Sequence, residues 1–333
     1  MLPVAELRGL TPRDLNARIL TSTQPLLLRS LVSHWPMVQA ALQSQQAASA
    51  YLMRFYQGAP VLAMLGAPDI KGRFFYNDDI SGFNYRPVHA PLGGVLAELE
   101  SHRDDVEPPA IYVGSTTIDT CLPGFRSEND VDLGERDPLA SIWIGNRTRI
   151  SAHYDAPDNL ACVTAGRRRF TLFPPEQLAN LYVGPLDFTP AGQAISLVDF
   201  QAPDFERYPK FREALAHAQV AEMEPGDALF IPSMWWHHVE ALDPFNVLVN
   251  YWWRQTPHYM DTPTNALMYA IMTIRDLPPE QRKAWEGLFR HYVFEQDANT
   301  SAHIPPAARR MLAPMTEDMA RALRAQLLKR MNR

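Results

Sequence analysis

Between residues 108 and 256 the apolar residues come in short runs, such as Ala140-Ser-Ile-Trp-Ile-Gly145, Phe170-Thr-Leu-Phe173 and Ala228-Leu-Phe-Ile231, broken at close intervals by Gly and Pro. Runs this short that recur this often predict an all-β sandwich or barrel. The flanks read differently. Residues 1–107 alternate helical patterns (44–56, 95–102, and a start at Thr11-Pro12) with strand-like runs at 25–32, 60–65 and 72–76, and are expected to form an α/β region packed on the core. Residues 257–333 read as helices at 264–275, 279–294, 305–312 and 316–331. The expected fold is therefore mainly β with flanking helices, in three parts: 1–107, 108–256 and 257–333.

A chain of 333 residues with 46% apolar content can bury a sizeable core. A formal charge of −6 argues against nucleic acid or an anionic membrane as a partner held by bulk electrostatics. Cys121 and Cys162 are too few for a disulfide framework and fit a reducing compartment. The first residues lack the pattern of a secretory signal, and no apolar run reaches the length of a membrane span, so a soluble cytoplasmic protein is expected.

Within the β-rich part, His153-Tyr154-Asp155 places two metal-ligand side chains on one side of a strand, and His237-His238 offers a further imidazole. Two histidines and one carboxylate form an open face suited to Fe(II) chemistry with O2 and an organic co-substrate. Spacing alone proves little, because His102-Arg103-Asp104 has it too. That copy ends a helical run, where its side chains diverge by about 200°, and it reads as a solvated helix end. Parity selects between the paired histidines: His237 shares a face with Val239 and Ala241, His238 with Glu240, which makes His237 the inward ligand.

Parity also sorts Arg167-Arg168-Arg169. If Phe170 and Leu172 face inward, Arg168 faces inward with them and needs an anion, for which a carboxylate is the natural partner of the guanidinium fork. The plain alternative is a basic strand edge in solvent. Trp235, Trp236, Tyr251 and Trp252 are expected to supply a dry wall, with ordinary core as the alternative for any of them. In the C-terminal helices, apolar stripes at Met319, Leu323, Leu327 and Met331 and at Trp285, Phe289, Tyr292 and Val293 either dock on the parent domain or form a homodimer surface.

The runs His153-Tyr-Asp-Ala-Pro-Asp-Asn159, Gly166-Arg-Arg-Arg-Phe-Thr-Leu-Phe-Pro-Pro175, Val198-Asp-Phe-Gln-Ala-Pro-Asp-Phe-Glu-Arg-Tyr-Pro-Lys-Phe211 and Pro225-Gly-Asp-Ala-Leu-Phe-Ile-Pro232 followed by Trp235-Trp-His-His238 resemble the cupin-like JmjC-type 2-oxoglutarate oxygenases. The likeness is nearest to the branch containing the asparaginyl hydroxylase that inhibits hypoxia-inducible factor, and it is strong over 110–255. It implies a double-stranded β-helix (jelly-roll) core and a dioxygenase that hydroxylates a protein or peptide side chain, or a small molecule, while decarboxylating 2-oxoglutarate to succinate and CO2. It also implies His153, Asp155 and His237 as Fe(II) ligands, Arg168 and Tyr112 as holders of the distal carboxylate of 2-oxoglutarate, and Asn159 and Asn250 beside the iron. Arg168 stands where that hydroxylase has a lysine. Ile150 and Pro157 replace a hydroxyl-bearing co-substrate contact and a substrate-contacting amide, and these departures leave the substrate open.

Overall fold

A computed structural model describes residues 1–15, 17–190 and 192–332. The chain divides into two units, Met1–Arg254 and Gln255–Arg333. Among the described residues no helix is long and apolar enough to cross a membrane.

In the first unit the short apolar runs pair into two sheets. Among the described residues the smaller sheet has six strands, in the order Leu2–Pro3, Gln219–Met223, Arg168–Phe173, Trp236–Ala241, Arg149–Tyr154 and Arg73–Phe74. The larger has nine: Ala5–Leu7, Leu26–Leu28, Ala228–Ile231, Asp158–Ala165, Asn246–Trp253, Leu139–Gly145, Ala110–Thr117, Val61–Gly66 and Tyr85–Ala90. From residue 139 onward the chain passes repeatedly between the sheets, as a jelly roll does. The connections are tight. Glu224 to Asp227 closes with Asp227 N–H donating to the Glu224 carbonyl at 3.0 Å, with Gly226 at φ 102° supplying the left-handed position. Gly166, at φ 66°, turns the chain into the arginine strand where a Cβ would strike the Phe245 carbonyl and the Asn246 side chain.

Strand alternation builds the core between the sheets. Ala161, Val163, Leu229, Ile231 and Leu248 of the larger sheet meet Phe170, Leu172, Ala221, Met223 and Val239 of the smaller. The opposite face of the larger sheet is covered as well, with Leu160, Cys162, Phe230, Val249 and Tyr251 clustering with Trp35, Met37 and Leu52 of the N-terminal region. Burial on both faces explains why Asp158–Ala165 is buried along its whole length. Each such Leu, Val or Phe contributes about 1.5–3 kcal/mol over leaving it exposed. Helix Gln45–Met53 starts where Ser44 Oγ accepts the Ala47 N–H at 3.0 Å. The described residues of 174–218 cover the outer face of the smaller sheet, where Leu181, Val198, Phe211 and Ala214 pack on Phe173 and Trp236.

The second unit has helices Pro263–Thr273, Pro279–Phe289 (continued by a wider turn, Arg290–Phe294) and Glu317–Met331. The helix expected over 305–312 is instead two short turns, Pro306–Ala308 and Arg310–Leu312, because Arg310 adopts the left-handed conformation at φ 50° and interrupts the helical path. No described residue of the three helices is buried.

Candidate metal centre

His153 lies near the end of Arg149–Tyr154, Asp155 just beyond it, and His237 on the neighbouring strand, directly paired with His153. One ligand atom of each lies within 4.8 Å of the other two. The strand pairing contains an irregularity: Val239 pairs with Ile150 and His237 with His153, so an extra residue is accommodated between 150 and 153. This bulge lets Ile150 and His153 both line one pocket, which simple alternation forbids.

Two backbone carbonyls orient the imidazoles. His153 Nδ1 is 2.9 Å from the Ser151 carbonyl and His237 Nδ1 is 3.0 Å from that of Trp235. A carbonyl only accepts, so each Nδ1 carries the proton and each Nε2 presents a lone pair to the centre. Burial, reinforced by neighbouring His153, pushes His237 down to about 4, which keeps its ring neutral at physiological pH. The Asp155 carboxylate is held by the Trp252 indole, whose Nε1–H donates to Oδ2 at 3.0 Å, and by Asn159 Nδ2 at 3.4 Å. Behind Asn159 the chain of contacts continues: Asn250 Nδ2 donates to Asn159 Oδ1 at 3.4 Å, and Trp143 Nε1 donates to Asn250 Oδ1 at 2.7 Å. Asn159 and Asn250 thus line the pocket and also steady the carboxylate. Two imidazoles and one carboxylate suit a divalent first-row transition ion, with positions open toward the pocket.

The pocket holds about 360 Å³ and draws its walls from both sheets. Arg168 enters it from the smaller sheet with only 2% of its surface exposed. Among the described residues no carboxylate pairs with it, and its Nε has no hydrogen-bond partner. Burial lowers it to about 10, partly offset by Tyr112. Its sequence neighbours point out and pair at the surface, Arg167 with Asp243 and Arg169 with Glu222. A buried, unpartnered guanidinium beside an open metal face fits an anionic co-ligand whose far end it would grip. Tyr112 is buried beside it on the larger sheet, its phenol pushed up by burial.

Several placements differ from expectation. Of the four aromatics assigned to a dry wall, Trp252 lines the pocket. Trp235 packs between the sheets and donates to the Thr23 carbonyl, Trp236 faces the outer cluster, and Tyr251 lies on the far face of the larger sheet. Alternation along Asn246–Trp253 is the reason, since Asn250 and Trp252 share a face that Tyr251 does not. His238 points away from the centre onto Phe200, 4.4 Å between rings, with neither ring nitrogen partnered. Pro157 is not among the described pocket walls, whereas Ile150 is. His102 sits after helix Leu92–Ser101 and pairs with Asp105 and Glu98, as a helix end does. The sequence reading missed Leu62, Met64 and Tyr85 from the N-terminal region and Pro190 and Ile195 from the 174–218 segment, all of which complete the pocket. Strand alternation at 60–65 was the one available signal, since it puts Leu62 and Met64 on one face.

Comparison with known proteins bears on the same region. The model of the cupin-like domain family matches residues 12–259. HSPB1-associated protein 1 of Homo sapiens is 32% identical over 158 residues, 46% of this chain and 31% of that protein. Lysine-specific demethylase JMJ31 of Arabidopsis thaliana is 36% identical over 134 residues, 37% of this chain and 24% of that protein. tRNA wybutosine-synthesizing protein 5 of Gallus gallus is 34% identical over 145 residues, 39% of this chain and 42% of that protein. The aligned region thus spans from about a quarter to about two fifths of the length of these relatives. With two sheets wound as a jelly roll, the metal-ligand cluster between them, and a family match across most of its length, the chain belongs to the cupin-like domain family.

Proposed function

We propose that this protein is an Fe(II)- and 2-oxoglutarate-dependent dioxygenase that hydroxylates a protein or peptide side chain. The observation that carries the reading is Arg168, a buried cation with no carboxylate partner among the described residues, opening into the same pocket as the His153, Asp155 and His237 cluster. A metal cupin acting on a ligand without an anionic group has no need of that cation. His153, Asp155 and His237 would hold Fe(II), and Arg168 with Tyr112 would hold the distal carboxylate of 2-oxoglutarate. Bound there, iron and 2-oxoglutarate supply O2 activation coupled to loss of CO2, leaving succinate. The chain's own part is to fix both imidazole tautomers through the Ser151 and Trp235 carbonyls, to aim the Asp155 carboxylate with Trp252 and Asn159, and to keep water out with Trp143, Phe170 and Leu248.

Two relatives carry names that refer to proteins, a lysine-specific demethylase and an HSPB1-associated protein, and these support a protein substrate or partner. A small-molecule substrate is the second reading, favoured by the walls that Pro190 and Ile195 add to the pocket, with Phe188 nearby stacked on Phe83 at 4.8 Å. A homodimer through the C-terminal helices accords with the exposure of Leu327, Met331, Trp285 and Val293. Anaerobic Fe(II) with 2-oxoglutarate should raise the thermal midpoint by mass action, and His153→Ala should remove the shift. A protein indifferent to both ligands at millimolar levels overturns the proposal.

A further inference from the structure

Resting on the oxygenase reading, we infer that the substrate group brought to the metal is uncharged and largely apolar, and that Leu62, Met64, Tyr85, Pro190 and Ile195 select it. Besides Arg168, Tyr112 and the three metal-ligand candidates, the pocket is lined by these five residues among others. Leu62 and Met64 share one face of Val61–Gly66, with Leu62 39% exposed at the mouth. Tyr85 reaches in from the adjacent strand, and its hydroxyl lies 3.4 Å from the Pro190 carbonyl, which it donates to. The polar groups nearby are neutral: Ser115 and Thr116, the latter donating its hydroxyl proton to the Gly114 carbonyl at 3.0 Å.

Charge decides the class. Among the described pocket residues Asp155 is the one carboxylate and Arg168 the one permanent cation. Asp155 is committed to the metal cluster and Trp252, and Arg168 to the co-substrate. An ammonium or guanidinium group entering here would lose its hydration and meet no counter-charge, and a carboxylate would fare no better. Aromatic faces do not make up the difference for a methylated ammonium. Tyr112 lies between Phe74 at 5.6 Å and Trp143 at 5.8 Å, while Tyr85 stacks on Phe83 at 5.3 Å and takes the edge of Phe74 at 5.3 Å. These rings pack on one another and do not form the walls of a box around a cation, so cation–π attraction is small beside the loss of hydration. An aliphatic or aromatic group meets matching surface on Leu62, Met64, Pro190 and Ile195.

The test uses shape-matched probes on full-length protein loaded anaerobically with Fe(II) and 2-oxoglutarate: benzyl alcohol against benzylammonium and benzoate, and isoamyl alcohol against isoamylammonium. Binding is read by quenching of tryptophan fluorescence, since Trp143 and Trp252 line the pocket, and by thermal shift. The alcohols are expected to bind at least about tenfold more tightly than the ions. Leu62→Glu, which places a carboxylate at the mouth, is expected to narrow or reverse the preference for benzyl alcohol over benzylammonium. The shift caused by 2-oxoglutarate is measured first. Its absence defeats the oxygenase reading, whereas its presence together with ammonium probes that match the alcohols defeats this inference alone. Failure of every neutral probe to bind at tens of millimolar also overturns it.

Discussion

Replacing Arg168 by Met should make the ligand-free protein more stable and at the same time insensitive to 2-oxoglutarate. The guanidinium is fully enclosed, its Nε is unpartnered, and burial brings it from its ordinary 12.5 to about 10. At about 1.4 kcal/mol per pH unit, the folded state carries roughly 3 kcal/mol of unfavourable charge burial. The sign follows from the lowered value: the cost is present at all pH below about 10 and fades as pH rises past it. Met has a stem of similar length and no charge. Allowing about 1 kcal/mol for imperfect refilling, the variant should gain roughly 2 kcal/mol, or about 5 °C in Tm for a unit of this size. The measurement is thermal and urea unfolding at pH 7 in a buffer free of carboxylates and phosphate, which would otherwise occupy the site. Adding 2-oxoglutarate at a hundredfold its Kd to the metal-loaded proteins should stabilise the parent by about 2.7 kcal/mol and the variant hardly at all. A variant less stable than the parent without ligand would refute the account of Arg168 as an unpaired buried cation. One that still responds to 2-oxoglutarate would refute its role as the carboxylate grip.

Other consequences can be measured separately. Trp252→Phe removes the donor that aims Asp155 and should weaken metal binding by about 10–100-fold in competition with a chromophoric chelator; an unchanged affinity would show that the indole does not orient the ligand. His238 is pushed down to about 3 by burial and by Arg149. Below pH 6.5 the unfolded chain therefore takes up a proton that the folded chain refuses, and stability falls as pH drops from 6.5 toward 3. His238→Phe should flatten that decline in urea unfolding between pH 7 and 5, and parallel profiles would discount the histidine. Light scattering after size exclusion should give twice the chain mass, and Leu327→Asp with Met331→Asp should halve it; a monomeric parent at micromolar concentration refutes the dimer.

Much of the centre was legible because it obeys local rules. Strand parity places Arg168 inside and its two neighbours outside, and separates His237 from His238, since side chains on a strand can take only two directions. The same rule fails at Ile150 and His153, where a bulge puts both on one face, and no run of residue types announces a bulge. The aromatic wall was misassigned for a related reason: a sheet buried on both faces hides which face meets the pocket, so Trp252 and Tyr251 look alike in sequence.

Read alone, the polypeptide determined the β-rich centre, its turns at Gly166 and Gly226, the ligand types and the inward cation, all of which follow from alternation and backbone geometry within a few residues. Tertiary structure decided what lies opposite them. The Trp143, Asn250, Asn159 and Asp155 chain, and a pocket wall drawn from residues 62, 64, 85, 190 and 195, join segments far apart in the chain. Such meetings depend on how two sheets stack and how a long connection folds back over them, and neither is written in any local stretch of sequence.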